Sequence, residues 1–162
     1  MASVIWIAFA GLFAWAAVTD ARSYRIPNWI PIALAALFAL AVFVSGKPVL
    51  EFWPHLAAGL GMMALGYLLY AVTGMGAGDA KLAAAAMLWA GWSGAYAWLF
   101  ALTVAMAGLA AGLVLLRLAA ATAGSAPKLR MLQRGAPVPL GIALAAATIF
   151  ASWRFDLAFW AF

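Results

Sequence analysis

"LAAAAMLWAGWSGAYAWLFALTVAMAGLAAGLVLL", Leu82 to Leu116, is a run of 35 residues without one charged side chain. Built as a single helix at about 1.5 Å per residue it would exceed ~50 Å, whereas a bilayer's hydrocarbon core is about 30 Å thick. The run is therefore expected to break, and "GWSG", Gly91 to Gly94, supplies turn-forming residues where a break would fall. The surrounding chain is of the same kind. Of its 162 residues 70% are apolar and 8% charged, with a mean hydropathy of +1.10, well beyond the roughly half-apolar make-up of soluble domains. There is too little polar surface to cover a soluble fold, so the composition points to a helical membrane protein.

Further charge-free segments run from about Ser3 to Thr19, Trp29 to Ser45, Phe52 to Val72, and Val138 to Trp153 or beyond. Pro31 suits the first turn of the second segment. With the divided run these predict an all-α, polytopic membrane protein of about six transmembrane helices, folded as one membrane-embedded domain over residues 1–162. The opening stretch lacks a basic n-region and is long enough to span, so it reads as a retained helix, not a cleaved signal. Six spans put both termini on one side. The loops after spans one, three and five then carry Arg22, Arg25, Lys81, Arg117, Lys128, Arg130 and Arg134, against Lys47 and Arg154 on the other face. By the positive-inside rule the odd-numbered loops are cytoplasmic and the termini periplasmic. A five-span chain would set Lys81 and the Arg117–Arg134 loop on opposite faces, against that bias. The net charge of +5 is thus sorted to one membrane face, where lipid is the partner, and does not point to nucleic acid. With no cysteine, disulfides and thiolate zinc sites are excluded.

Only four acids occur: Asp20, Glu51, Asp79 and Asp156. Glu51 and Asp156 fall on the outer face as loop charges. Asp20 closes span one and Asp79 follows two complete crossings later, so both carboxylates are expected at the same cytoplasmic interface. Singly, Asp20 could be a helix-end residue pairing with Arg22 or Arg25, and Asp79 an N-cap. Together they could form a dyad, because ionisable groups at membrane depth are costly and two close carboxylates share their titration. Such a pair can activate water and polarise a peptide carbonyl. The only histidine, His55, is expected at the outer end of span three, which disfavours a His-based triad or metal site. Ser23 has no base nearby except Asp20. Gly74, Gly76 and Gly78 around Asp79 admit close backbone approaches, serving either as a hinge or as room for a substrate strand, and Gly74, furthest from the acid, is expected to tolerate alanine.

"VTDARSYRIPNWI" and "GMGAGDAKL" resemble the two signature regions of the type IV prepilin peptidases, membrane aspartic proteases of the GxGD type. The first match places Asp20 ahead of Arg25, Ile26, Pro27 and Asn28; the second comprises Gly76, Gly78, Asp79, Lys81 and Leu82. "VPLGIAL", Val138 to Leu144, resembles a third, weaker P-x-G-x-A stretch with its alanine at Ala143. The resemblance implies cleavage of prepilin leader peptides at the cytoplasmic face of the bacterial inner membrane, with Asp20 and Asp79 catalytic and no cofactor or metal. Arg25, Pro27, Asn28, Gly76, Gly78 and Lys81 would support them. Lacking a cysteine-bearing N-terminal region, the chain looks like the short, peptidase-only class of Flp/Tad-type pili, without methyltransferase activity.

A proton- or cation-coupled transporter built on the same carboxylates is the rival from another class. It requires acids at mid-membrane, whereas both are placed at one end. An inert assembly subunit is a third reading. "GLAAG", Gly108 to Gly112, is a small-xxx-small face for packing inside the chain or, alternatively, for a homo-oligomer. The nine tryptophans are assigned mostly to the interfacial belt or to lipid contacts.

Overall fold

A computed structural model of the chain describes residues 2–122, 130–133 and 136–152. Lys128, Arg134, Trp153, Arg154 and Asp156, on which the expected topology draws, lie outside them. The described residues form five helices: α1 (Ala2–Ser23), α2 (Trp29–Ser45), α3 (Trp53–Thr73), α4 (Ala77–Thr122) and α5 (Leu140–Ala151), with 3-10 turns at Val49–Phe52 and Arg130–Leu132. Three of these segments, Ser3–Ser23, Val49–Thr73 and Ala77–Thr122, are long and apolar enough to cross a membrane. With α2 and α5 also apolar, the all-helical chain fits a membrane protein.

The uncharged run breaks where its turn residues stand. Gly91, at φ 63 and ψ −176, is non-helical and divides α4 into arms of residues 77–90 and 92–122. Leaving the helix there frees carbonyls of the preceding turn, and His55 Nδ1 lies 3.1 Å from the Leu88 carbonyl oxygen. Facing an acceptor, that nitrogen carries the proton. The ring fills the space beside Gly91, where a Cβ would come within 2.9 Å of it. His55 therefore holds the kink.

Charge did not end helices as expected. α1 runs past Thr19 to Ser23, and α4 begins at Ala77, five residues before Leu82. A charged side chain in a terminal turn can reach the polar interface while its backbone stays helical.

The first arm of α4 is the centre of the bundle, with Ala80, Leu82 to Met87, Trp89 and Ala90 buried. α2, α3 and α5 pack on α4, and α1 packs on α2 and α5. Against the first arm lies an aromatic cluster: Trp89 stands 4.8 Å from Phe9 and 5.5 Å from Phe38, centroid to centroid. Trp89 Nε1 donates to the Leu34 carbonyl at 3.0 Å, and Trp98 Nε1 to Thr148 Oγ1 at 2.9 Å. These two tryptophans are core; Trp6, Trp15, Trp29, Trp53 and Trp92 are exposed.

α3 meets α4 through glycines. A Cβ on Gly66 would lie 2.8 Å from Ala80 Cβ, and one on Gly59 3.1 Å from Leu88 Cβ. This close approach, of the small-residue kind used between membrane helices, fixes the start of α4 and hence Asp79. Gly108 and Gly112 do not pack this way: a Cβ on either meets nothing within 4 Å. The internal role expected for that pair is not found among the described residues, because the second arm is largely exposed on that face.

Candidate active site

Asp20 sits in the last turn of α1, where the helix dipole disfavours a negative charge, and is only 5% exposed. It is compensated from another helix. The backbone N–H of Gly141, in the first turn of α5, donates to Asp20 Oδ2 at 2.8 Å. First-turn N–H groups have no partner within their own helix and carry its positive end. Only glycine permits the contact, since a Cβ on Gly141 would lie 2.9 Å from both Cβ and Oδ2 of Asp20. No pairing of Asp20 with Arg22 or Arg25 forms among the described residues. The burial that brings Gly141 up to the carboxylate takes the place of that pairing.

The approach to α5 is itself tied down. The Tyr24 hydroxyl donates to the Pro137 carbonyl at 3.0 Å. Arg117 donates from Nε and Nη2 to the Met131 carbonyl at 3.0 and 2.7 Å, and from Nη2 to the Ala136 carbonyl at 2.8 Å. Tyr24 adopts a left-handed conformation, φ 52, uncommon for a residue other than glycine. It directs the chain out of α1 while its N–H bonds back to the Asp20 carbonyl at 2.9 Å.

Asp79 lies in the first turn of α4, one turn inside the N-cap position considered for it, where the dipole favours its charge. The Ala80 N–H donates to the Gly76 carbonyl at 3.2 Å. The glycines have separate tasks. A Cβ on Gly76 would fall 2.6 Å from Asp79 Oδ2, so the missing side chain makes room for the carboxyl group. A Cβ on Gly78 would meet Ile26 Cβ at 3.1 Å. On that side Gly78 admits the close approach of Ile26. Gly74 caps α3 at φ 71, so alanine there is strained although nothing crowds it; its expected tolerance needs that correction.

Both carboxylates line one cavity of about 390 Å³, together with Arg25, Pro27, Asn28, Gly76 and Gly78. Lys81 is not in the cavity lining. Its Nζ donates to Asn28 Oδ1 at 2.9 Å, joining the segment after Asp20 to the helix that carries Asp79. Asn28 stands at the N-cap of α2 without capping it by side chain; its amide serves Lys81 instead. Ser23 Oγ donates to the Thr19 carbonyl at 2.8 Å, a back-bond within its own helix. Tyr24, Arg117 and Gly141 were not singled out as functional positions from the sequence. For Gly141 the P-x-G-x-A stretch held the signal; for the other two no local pattern does.

The family model of the type IV leader peptidase family matches residues 7–116, a span that includes both aspartates. The chain belongs to that family, which makes it a leader-peptidase-like protease of the membrane, with a prepilin as the substrate that membership implies. The Pro139–Ala143 stretch lies beyond the match, so the Gly141 contact is known from geometry alone. No curated protein and no solved structure matches the chain.

Proposed function

We propose that the chain is an aspartic endopeptidase that removes the leader of type IV-like prepilins, of the Flp type, at the cytoplasmic face of the inner membrane, with Asp20 and Asp79 as its dyad. The observation that carries this reading is the shared cavity: two carboxylates from α1 and α4, 59 positions apart in sequence, face the same space. The ionised carboxyl takes a proton from water, which attacks the scissile carbonyl, and the protonated one polarises that carbonyl. Proton return to the leaving nitrogen completes hydrolysis. Lys81 and Asn28 hold the two aspartate-bearing segments together. The cavity at one end of α1 and α4 also speaks for a peptidase over a transporter, which needs its acids accessible from both faces.

The test is cleavage of a prepilin by reconstituted protein. Asp20→Asn and Asp79→Asn each reduce cleavage to background while accumulating normally in the membrane, since an amide cannot carry the proton. Near-normal processing by either variant ends the dyad assignment.

The proposed topology has six spans, with the arms of α4 as the fourth and fifth, and periplasmic termini. The absence of native cysteine makes labelling direct. A cysteine at Ser23 reacts only with membrane-permeant reagents, and one at Ser45 or at the exposed Ser93 reacts from outside. Labelling at Ser23 by an impermeant reagent overturns the orientation.

A further inference from the structure

A second cavity, of about 480 Å³, opens between α2, α3 and α4. Its lining is apolar apart from Asn28 and Lys81, which hydrogen-bond each other at one end. Asn28 also lines the cavity of the two aspartates, so the two spaces adjoin through that residue. Along α4 the cleft runs from Lys81 to Leu88, two helical turns or about 10 Å. Ala84 and Ala85 are its small residues on α4, while Ile32 and Leu60 stand exposed at its sides.

We infer that this cleft seats the apolar segment of the substrate that adjoins the scissile bond, about two turns of helix, with the bond itself carried past Asn28 to the carboxylates. The inference rests on the peptidase reading above. Continuity decides the occupant. A peptide substrate must lie in the aspartate cavity and extend from it, and the cleft is the apolar extension that shares a wall with it. A lipid chain would occupy the cleft without using that connection. Lys81 has donors beyond the one given to Asn28, and these suit backbone carbonyls of a chain leaving its apolar seat.

The experiment traps the segment in place. Asp79→Asn protein carrying a photo-reactive benzoylphenylalanine at Ile32 is reconstituted in phosphatidylethanolamine–phosphatidylglycerol liposomes. The probe is a synthetic peptide with a basic leader, the scissile bond and an adjoining apolar helix. Irradiation gives a peptide adduct within the two turns beside the bond, and the same photo-residue at Ala36, exposed on α2 outside the cleft, gives none. Lipid adducts alone, or equal peptide adducts at both positions, overturn the inference. In active protein, Ala35→Trp fills the cleft and raises KM for the helix-bearing peptide about tenfold with kcat kept, whereas Ala36→Trp changes neither. An unchanged KM in a folded Ala35→Trp variant also overturns it. A peptide adduct at Ile32 alongside wild-type protein that cleaves nothing would remove the protease reading and keep the cleft; cleavage without an adduct would do the reverse.

Discussion

Asp20 and Asp79 face the same cavity but are held in opposite ways. Asp20 ends a helix whose dipole works against it, is almost fully buried, and is fixed by the N–H of a helix 121 positions away. Asp79 begins a helix whose dipole favours it, and among the described residues nothing donates a hydrogen bond to its carboxylate. One acid is clamped from outside its own segment, and the other is given space by its neighbour Gly76. The difference teaches that a pair can be built from one rigid and one adjustable member. It also makes the two members vulnerable to different substitutions.

The clamp is the more sensitive half. In Gly141→Ala a methyl group arrives 2.9 Å from Asp20 Oδ2, with backbone on one side and buried carboxyl on the other. Cleavage falls about 100-fold, the scale set by misplacing a catalytic group by an ångström, and stability falls by about 1–3 kcal/mol from overpacking. Rates of leader cleavage and thermal unfolding of purified protein check the two numbers. Normal cleavage would show that Asp20 does not depend on α5.

Gly76→Ala tests the other half. Its methyl displaces only the end of the Asp79 side chain, which can rotate away. Cleavage drops about tenfold with no loss of accumulation. An effect larger than that of Gly141→Ala would reverse the ranking of rigid and adjustable members. Gly78→Ala presses on Ile26 and acts through the Arg25–Asn28 segment, so it lowers stability along with activity. Smallest of all is Gly74→Ala, which costs about 1 kcal/mol of stability for its left-handed backbone and leaves the cleavage rate unchanged in folded protein.

Much of this was legible in the sequence because hydropathy and turn chemistry are local. Trp29–Ser45 is read to the residue, and Gly91 breaks the long run. Helix ends near Asp20 and Asp79 are not legible from charge, because a terminal turn can carry a charged side chain. The cavity residues were legible because they cluster in two short motifs. The Gly141 clamp was not, because a backbone N–H leaves no mark of its own in the sequence and its acceptor lies 121 positions away. Gly59 and Gly66, not Gly108 and Gly112, meet a neighbouring helix, and spacing alone does not say which small residues face one.

The claim that matters most is that the two aspartates act as one unit. Single-turnover cleavage of a prepilin by Asp20→Asn, Asp79→Asn and the double variant in liposomes measures this. Residues that act together are strongly non-additive, so each single variant falls to background and the double variant loses nothing more. Separate partial losses that multiply in the double variant would show two independent carboxylates and contradict the dyad.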